Sequence, residues 1–474
     1  MHVLDLSPDI EASTGLSADD AIGADSPFPS DARRARSHSG RRAGSGADGA
    51  THHHHQDEDM KDTDEGDDAV EEVDVEEEGG AGDPTRPHPM VLFSALPVMP
   101  HASELDHMSA CLVEFAGCVR SPRHLISKRL ALLKRLREML DKRWPRRGVQ
   151  LHLFGSSANH LSLKSGDLDM VLLIDKEAGN DSKLVRQMGS LLKRCGMRRV
   201  LSLPRARVPI VKFVDPATKF SCDICVNNLL ALQNTHLVAD YTALDPRFQQ
   251  LCILVKFWVK RRAINEPFDG TLSSYAYVLM VIFFLQLQHP PVLPNLQALA
   301  LGDHPRTMVD GFDCTYFRDV RKLHGWGAHN RDSLAALFAK FLRFYSHTFD
   351  YVNDCVSVRC GTILSKEQKG WTYAQQCEAE EAVAAAAATG EAEPADGKGG
   401  CKKRKENVWL CIEDPFEITH NLGRVVHFEG FRSMQQEFMR AFQMLCECAS
   451  FADICEPLTQ EEQAQRAARH MQER

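Results

Sequence analysis

Across the first 95 residues the apolar positions keep no sustained period, and the chain predicts no packed element there. At Leu105 the pattern turns helical. From Pro122 to Trp144 it predicts a long basic amphipathic helix whose apolar face is Leu125, Leu130, Leu133, Leu136 and Leu140. The period then falls to two. Val149 to Phe154 reads as a strand, as do residues 168–174, 208–214 and 220–226, and Lys183 to Arg194 is a helix following the strand at 168–174. After Leu229 helical spacing returns, through Val255, Tyr275 to Leu287 and Ser333 to Phe349. The expected fold is α+β, a small mixed sheet with helical cover followed by a mostly helical domain.

Composition narrows the class. A chain of 474 residues with 43% hydrophobic and 26% charged residues suits two or three globular domains with extra polar tails. Residues 1 to 95 are rich in Ser, Gly, Ala, Asp and Glu and are expected to be a disordered acidic tail. The tract His52-His53-His54-His55 within them reads as low complexity rather than as a metal site.

Charge is unevenly spread. From Asp57 to Glu78 there are 14 acids and one lysine, whereas Arg120 to Arg262 holds 28 Lys and Arg against 11 Asp and Glu. The overall charge of −9 therefore conceals a basic body, which suggests a polyanion partner, although solvated helix faces account for many of these charges.

Fifteen cysteines without paired spacing argue for reduced thiols in a cytoplasmic or nuclear setting. Cys222 and Cys225 are three apart on a strand and so should face opposite ways. The acidic first 30 residues resemble neither a secretory nor a mitochondrial leader. The longest mostly apolar run, Ala276 to Leu287, is too short to span a bilayer, so no membrane anchor is expected.

The candidate chemistry lies in the strands. Gly155-Ser156-Ser157 forms a turn ahead of Asp167 and Asp169, which the two-residue period puts on one face while Leu168 and Met170 take the other. Asp223 interrupts the apolar run 220–226 on a neighbouring strand. Three carboxylates on one sheet suit phosphoryl transfer at two metal ions. Each piece is a weak signal by itself; order and spacing give them weight.

Together they resemble the nucleotidyltransferase superfamily of DNA polymerase beta. Further along, Asn227 to Thr235, Leu254 to Arg262, Gly270 to Tyr277, Pro291 to Gln297 and Cys411 to Arg424 are similar to the terminal uridylyltransferases and their poly(A)-adding relatives, with Glu413-Asp414-Pro415-Phe416 and His420-Asn421-Leu422-Gly423 the most specific pieces. The likeness covers roughly residues 104 to 445.

That resemblance implies a nucleotidyltransferase catalytic domain at 121–229 and a helical, poly(A) polymerase-associated domain at 230–445, with 104–120 packed on the helical side and 446–474 a C-terminal tail. The Ala-, Glu- and Gly-rich stretch 375–406, with its cluster Lys402-Lys403-Arg404-Lys405, becomes an inserted loop. The basic cluster fits a nuclear localisation signal, an RNA contact or a solvated charge run.

The implied activity is template-independent addition of UMP from UTP to an RNA 3′ end, with Mg²⁺ or Mn²⁺ held by Asp167, Asp169 and Asp223. Asp223 is the candidate base. Gly155 with Ser156 or Ser157, and Lys256 with Lys260, would grip the triphosphate; an exposed lysine pair is the plain alternative for the latter. Ser274 would reach a phosphate, Tyr275 would stack on the base, Tyr277 is better read as core, and Asn234 and Thr235 resemble ribose contacts. His420, aided by Asp414, bears on base choice, because an imidazole N–H suits the O4 acceptor of uracil. The rivals are an ATP-using poly(A) polymerase of the same architecture and a catalytically silent RNA-binding scaffold.

Overall fold

The computed structural model describes residues 97–175, 179–302, 305–376 and 407–473. The acidic N-terminal stretch, the four-histidine tract, residues 377–406 of the inserted loop and the basic cluster at 402–405 lie outside them.

Two helices open the described chain, α1 (Ala102–Val119) and α2 (Arg123–Arg143), followed by a five-stranded sheet in the order β1-β2-β5-β4-β3. The strands are β1 (Gln150–Leu153), β2 (Leu168–Leu173), β3 (Arg198–Leu203), β4 (Ile210–Val214) and β5 (Ser221–Val226), and α3 (Asp181–Arg194) connects β2 to β3. Only β2 and β5 pair in parallel; the other neighbours are antiparallel.

Side-chain alternation divides the sheet. Leu168, Met170, Leu172, Cys222 and Ile224 pack under α2 and α3 as the main core. Val171 and Cys225 point the other way and pack against Leu232. Cys222 and Cys225 thus sit on opposite faces, as the strand period requires.

Two sequence expectations need correction. The strand β3 was not expected: it is an edge strand that begins with Arg198-Arg199 and leaves Leu201 52% exposed, so it carries no buried period to read. On α2 the buried stripe is Arg129, Leu132, Leu136 and Leu140, whereas Leu125, Leu130 and Leu133 are only partly buried. The guanidinium of Arg129 finds partners inside, which rotates the inward face away from the purely apolar choice.

The helical part begins with α4 (Leu229–Leu244), whose first turn is capped by Asn228 accepting from the Ala231 N–H, and α5 (Pro246–Arg261), capped by Asp245 with Pro246 at the first helical position. Next come α6 (Ser274–Gln286), buried from Ala276 onward, and α7 (Leu334–Arg343). A small sheet joins residues 354–356, 364–365 and 411–412, and it carries the Glu413-Asp414-Pro415-Phe416 block on its last strand's end.

Helix α1 packs on α5 and α7. The stretch 446–474 contains a helix, Gln460–Glu473, fastened by Arg466 donating to Glu437 and to the Arg262 carbonyl. Among the described residues no helix is long and apolar enough to cross a membrane.

Candidate active site

A turn at 155–157 follows β1 directly, and Gly155 adopts φ +60°. Its N–H donates to Thr235 Oγ1 at 2.9 Å, while the Thr235 hydroxyl donates to the Ala231 carbonyl at 2.7 Å. Helix α4 therefore fixes the turn from above. A Cβ at position 155 would meet Asp169 Oδ2 at 3.0 Å, so the close approach of this backbone to the carboxylate depends on glycine. Ser156 lines the adjoining cavity; the hydroxyl of Ser157 points instead to the Asp167 carbonyl, 3.4 Å away.

The register of the sheet then orders the charges. Asp169 stands opposite Asp223 across β2 and β5, and Asp223 stands opposite Lys212 across β5 and β4. Lys212 Nζ donates to Asp223 Oδ2 at 2.5 Å. Asp167 is exposed, one residue before β2 on the same face.

Burial, with the neighbouring Asp223 and Asp167, pushes the Asp169 carboxyl up to about 7. Burial also raises Asp223, against the pull of Lys212, and Asp223 in turn holds Lys212 above its ordinary value despite its own burial. Among the described residues no three such side chains are grouped closely enough to hold a metal ion. The accumulated negative charge still fits a divalent cation, which would offset both the burial and the repulsion from Asp223 and Asp167 that raise Asp169.

Two cations that sequence reasoning missed support this region. Lys212 was visible only through strand register. Arg129 donates to Ser121 and Ser162 and to the Gly166 carbonyl, bracing the loop that delivers Asp167. Its signal was available: it lies three and seven residues before Leu132 and Leu136, on the buried stripe.

A cavity of about 470 Å³ opens beside the acids, lined by Gly155, Ser156, Asp167, Asp169, Asn234, Thr235, Lys256, Lys260, Ser274 and Tyr275. Lys256 is buried, which rejects the exposed-pair alternative for it. Its Nζ donates to the Leu161 carbonyl at 2.8 Å, and burial lowers it to about 8, with Asp169 partly compensating. Lys260 is exposed, with its Nζ 3.5 Å from the Ser165 carbonyl.

Ser274 exchanges hydrogen bonds with Asn265. Tyr277 is core, donating to the Ile264 carbonyl at 2.7 Å. Asn234 lines the cavity, and its Oδ1 is buried without a hydrogen-bond partner among the described residues.

Ser157, Asp223, Asp414 and His420 do not line this cavity. Asp414 nevertheless touches its wall, accepting from Asn234 Nδ2 and from the Tyr275 hydroxyl, both at 3.3 Å. Its other oxygen accepts from the Phe416 and Glu417 N–H groups, and its own N–H donates to the His420 carbonyl at 3.1 Å. Burial first, then Arg207 and Arg424, lowers His420 to about 4, so the ring is neutral at physiological pH.

Residues 109–243 match the family model for the central palm domain of mitochondrial-like poly(A) RNA polymerases, and residues 333–420 match that for Cid1 family poly(A) polymerases. Terminal uridylyltransferase cid1 of Schizosaccharomyces pombe is 36% identical over 304 residues, which span 63% of this chain and 69% of that protein. The chain belongs to the family of terminal uridylyltransferases and poly(A) RNA polymerases.

Within that family, poly(A) RNA polymerase cid13 of Schizosaccharomyces pombe is 31% identical over 379 residues, covering 80% of this chain but only 59% of that protein's length. A solved structure of the Cid1 poly(U) polymerase superimposes with a TM-score of 0.60 at 32% identity, covering 75% of this chain and 99% of the other. Structures of that polymerase include magnesium nucleotide complexes and one with the short product ApU.

Proposed function

We propose that this chain transfers UMP from UTP to an RNA 3′-hydroxyl with release of pyrophosphate, without a template, using divalent cations held by Asp167, Asp169 and Asp223. The cation assignment is supported by the raised Asp169 carboxyl among like charges. Mg²⁺ or Mn²⁺ bound there would acidify the hydroxyl and neutralise the triphosphate.

The remaining work belongs to the chain's own groups. Lys256, Lys260 and Ser156 face the triphosphate, and the unpartnered Oδ1 of Asn234 accepts from a ribose hydroxyl, which favours a ribonucleotide. Tyr275 offers its ring to the base while Asp414 anchors its hydroxyl. We assign Asp223, held by Lys212, as acceptor of the 3′-hydroxyl proton. The ion pair favours the ionised carboxylate that a base requires.

The choice of UTP rests on His420. It is neutral, and its carbonyl accepts from the N–H of Asp414, whose carboxylate holds two residues of the cavity wall; from beside that wall its ring would present an N–H to O4 of uracil. A second reading, use of ATP, is favoured by the name of the relative that overlaps 80% of this chain. The presence of all three acids opposes a silent scaffold.

Incubation of the purified chain with Mg²⁺, one labelled short RNA and each of the four NTPs in turn tests the proposal. Extension with UTP supports it. Extension with ATP alone would assign the poly(A) activity, and no extension with any nucleotide would return the scaffold.

A further inference from the structure

Among the described residues, hydrogen bonds between the sheet domain and the helical domain include two well-separated groups. On one side, residues 155–161 meet α4 and α5: the Gly155 N–H reaches Thr235, the Asn159 carbonyl accepts from Thr242, and the Leu161 carbonyl accepts from Lys256. On the other, Arg207 in the turn between β3 and β4 crosses to the loop after the Glu413-Asp414-Pro415-Phe416 block. Its Nη2 donates to both carboxylate oxygens of Glu417, at 2.6 Å for Oε2, and its Nη1 lies 3.0 Å from Nε2 of His420. Nothing in the local sequence of either segment announces this contact, which spans 213 residues.

A guanidinium donates and never accepts. The Nε2 of His420 must therefore carry its lone pair toward Arg207, and a neutral ring then has its proton on Nδ1. The charged groups facing this ring are Arg207, Arg424 and Glu417; the two arginines disfavour the doubly protonated form, and Glu417 opposes them more weakly. Glu417 also holds the guanidinium in both its oxygens, which fixes the direction of the donated hydrogen bond. Because Arg207 occupies Nε2, Nδ1 is the ring nitrogen left to meet a base.

We propose that Arg207 is a positioning residue for base choice, fixing His420 as an Nδ1–H donor that matches O4 of uracil and mismatches the amino group of adenine. The opposite tautomer would offer Nδ1 as an acceptor and would suit adenine's amino donor. Selection would then reside in the Arg207–His420 pair rather than in the histidine alone. The inference rests on the UTP reading above.

The test uses the full chain with Arg207→Met, Arg207→Lys, His420→Ala and the Arg207→Met/His420→Ala double variant, measuring kcat/KM for UTP and ATP on one RNA primer. The Arg207 side chain is about half exposed, so its replacement leaves no core void, and circular dichroism checks the fold. The UTP/ATP ratio should fall about tenfold in Arg207→Met, the scale of one discriminating hydrogen bond, and be largely retained in Arg207→Lys. The double variant should have the same ratio as His420→Ala, since Arg207 acts through that ring.

In parallel, ¹⁵N shifts of histidine-labelled protein should show His420 protonated at Nδ1 in the wild type and a tautomer mixture in Arg207→Met. A wild type that prefers UTP, with an unchanged ratio in Arg207→Met or with the proton on Nε2, would overturn this inference and leave the UTP reading standing. A wild type that prefers ATP would overturn both.

Discussion

A side chain at Gly155 would set its first carbon 3.0 Å from Oδ2 of Asp169, so the turn and strand β2 are mutually fitted. Gly155→Ala meets both this contact and a φ of +60°. The backbone term alone costs about 1–2 kcal/mol. The variant should fold with a lowered urea midpoint and lose most nucleotide addition, because relief of the contact moves either the turn or the carboxylate. Wild-type turnover in Gly155→Ala would show that this approach has no catalytic role.

Asp167→Ala, Asp169→Ala and Asp223→Ala should each abolish tailing while leaving the far-UV spectrum unchanged, since loss of a metal-binding carboxylate removes several kcal/mol of charge stabilisation. Chelation of the wild type by EDTA should do the same, reversed by excess Mg²⁺. Tailing near the wild-type rate by any of the three pure, folded variants would reject the assigned site.

Arg129→Met should destabilise the chain by about 2–3 kcal/mol, read as a shift in urea midpoint, because buried hydroxyl and carbonyl acceptors lose a charged donor. The loop 162–166 should also loosen, raising KM for the nucleotide. An unshifted midpoint would mean that this arginine braces nothing.

These predictions also mark what the sequence made legible. The strands β2 and β5 and the turn at Gly155 were readable because short apolar runs interrupted by an acid and a residue that tolerates positive φ are local signals. The edge strand β3 was not, since its exposed Leu201 and paired arginines imitate a loop. Arg129 was not singled out, although it shares the stripe of Leu132 and Leu136, because the hydroxyl and carbonyl that hold its charge inside lie 33 and 37 residues away. Asp414 meets Asn234 across 180 residues and Tyr275 across 139, and the pairing of Lys212 with Asp223 needs the register of two strands. Long-range partners of this kind leave no period in the chain.

Base choice should be insensitive to pH from about 6 to 8, because a ring held near 4 stays neutral throughout that range. The sign is fixed by the lowered value: protonation would begin only as pH falls toward 4. A UTP/ATP efficiency ratio that titrates near 6.5 would place His420 in an ordinary solvated environment instead.

The most direct measurement of the central claim is the ratio of kcat/KM for UTP over ATP on one RNA primer, in the wild type and in His420→Ala. The wild type should prefer UTP and the variant's ratio should fall about tenfold, the loss of one hydrogen bond of roughly 1–2 kcal/mol, with overall turnover preserved because Asp223 and the phosphate contacts are untouched. An unchanged ratio would remove His420 from base selection, and a wild type that already prefers ATP would contradict the uridylyl assignment.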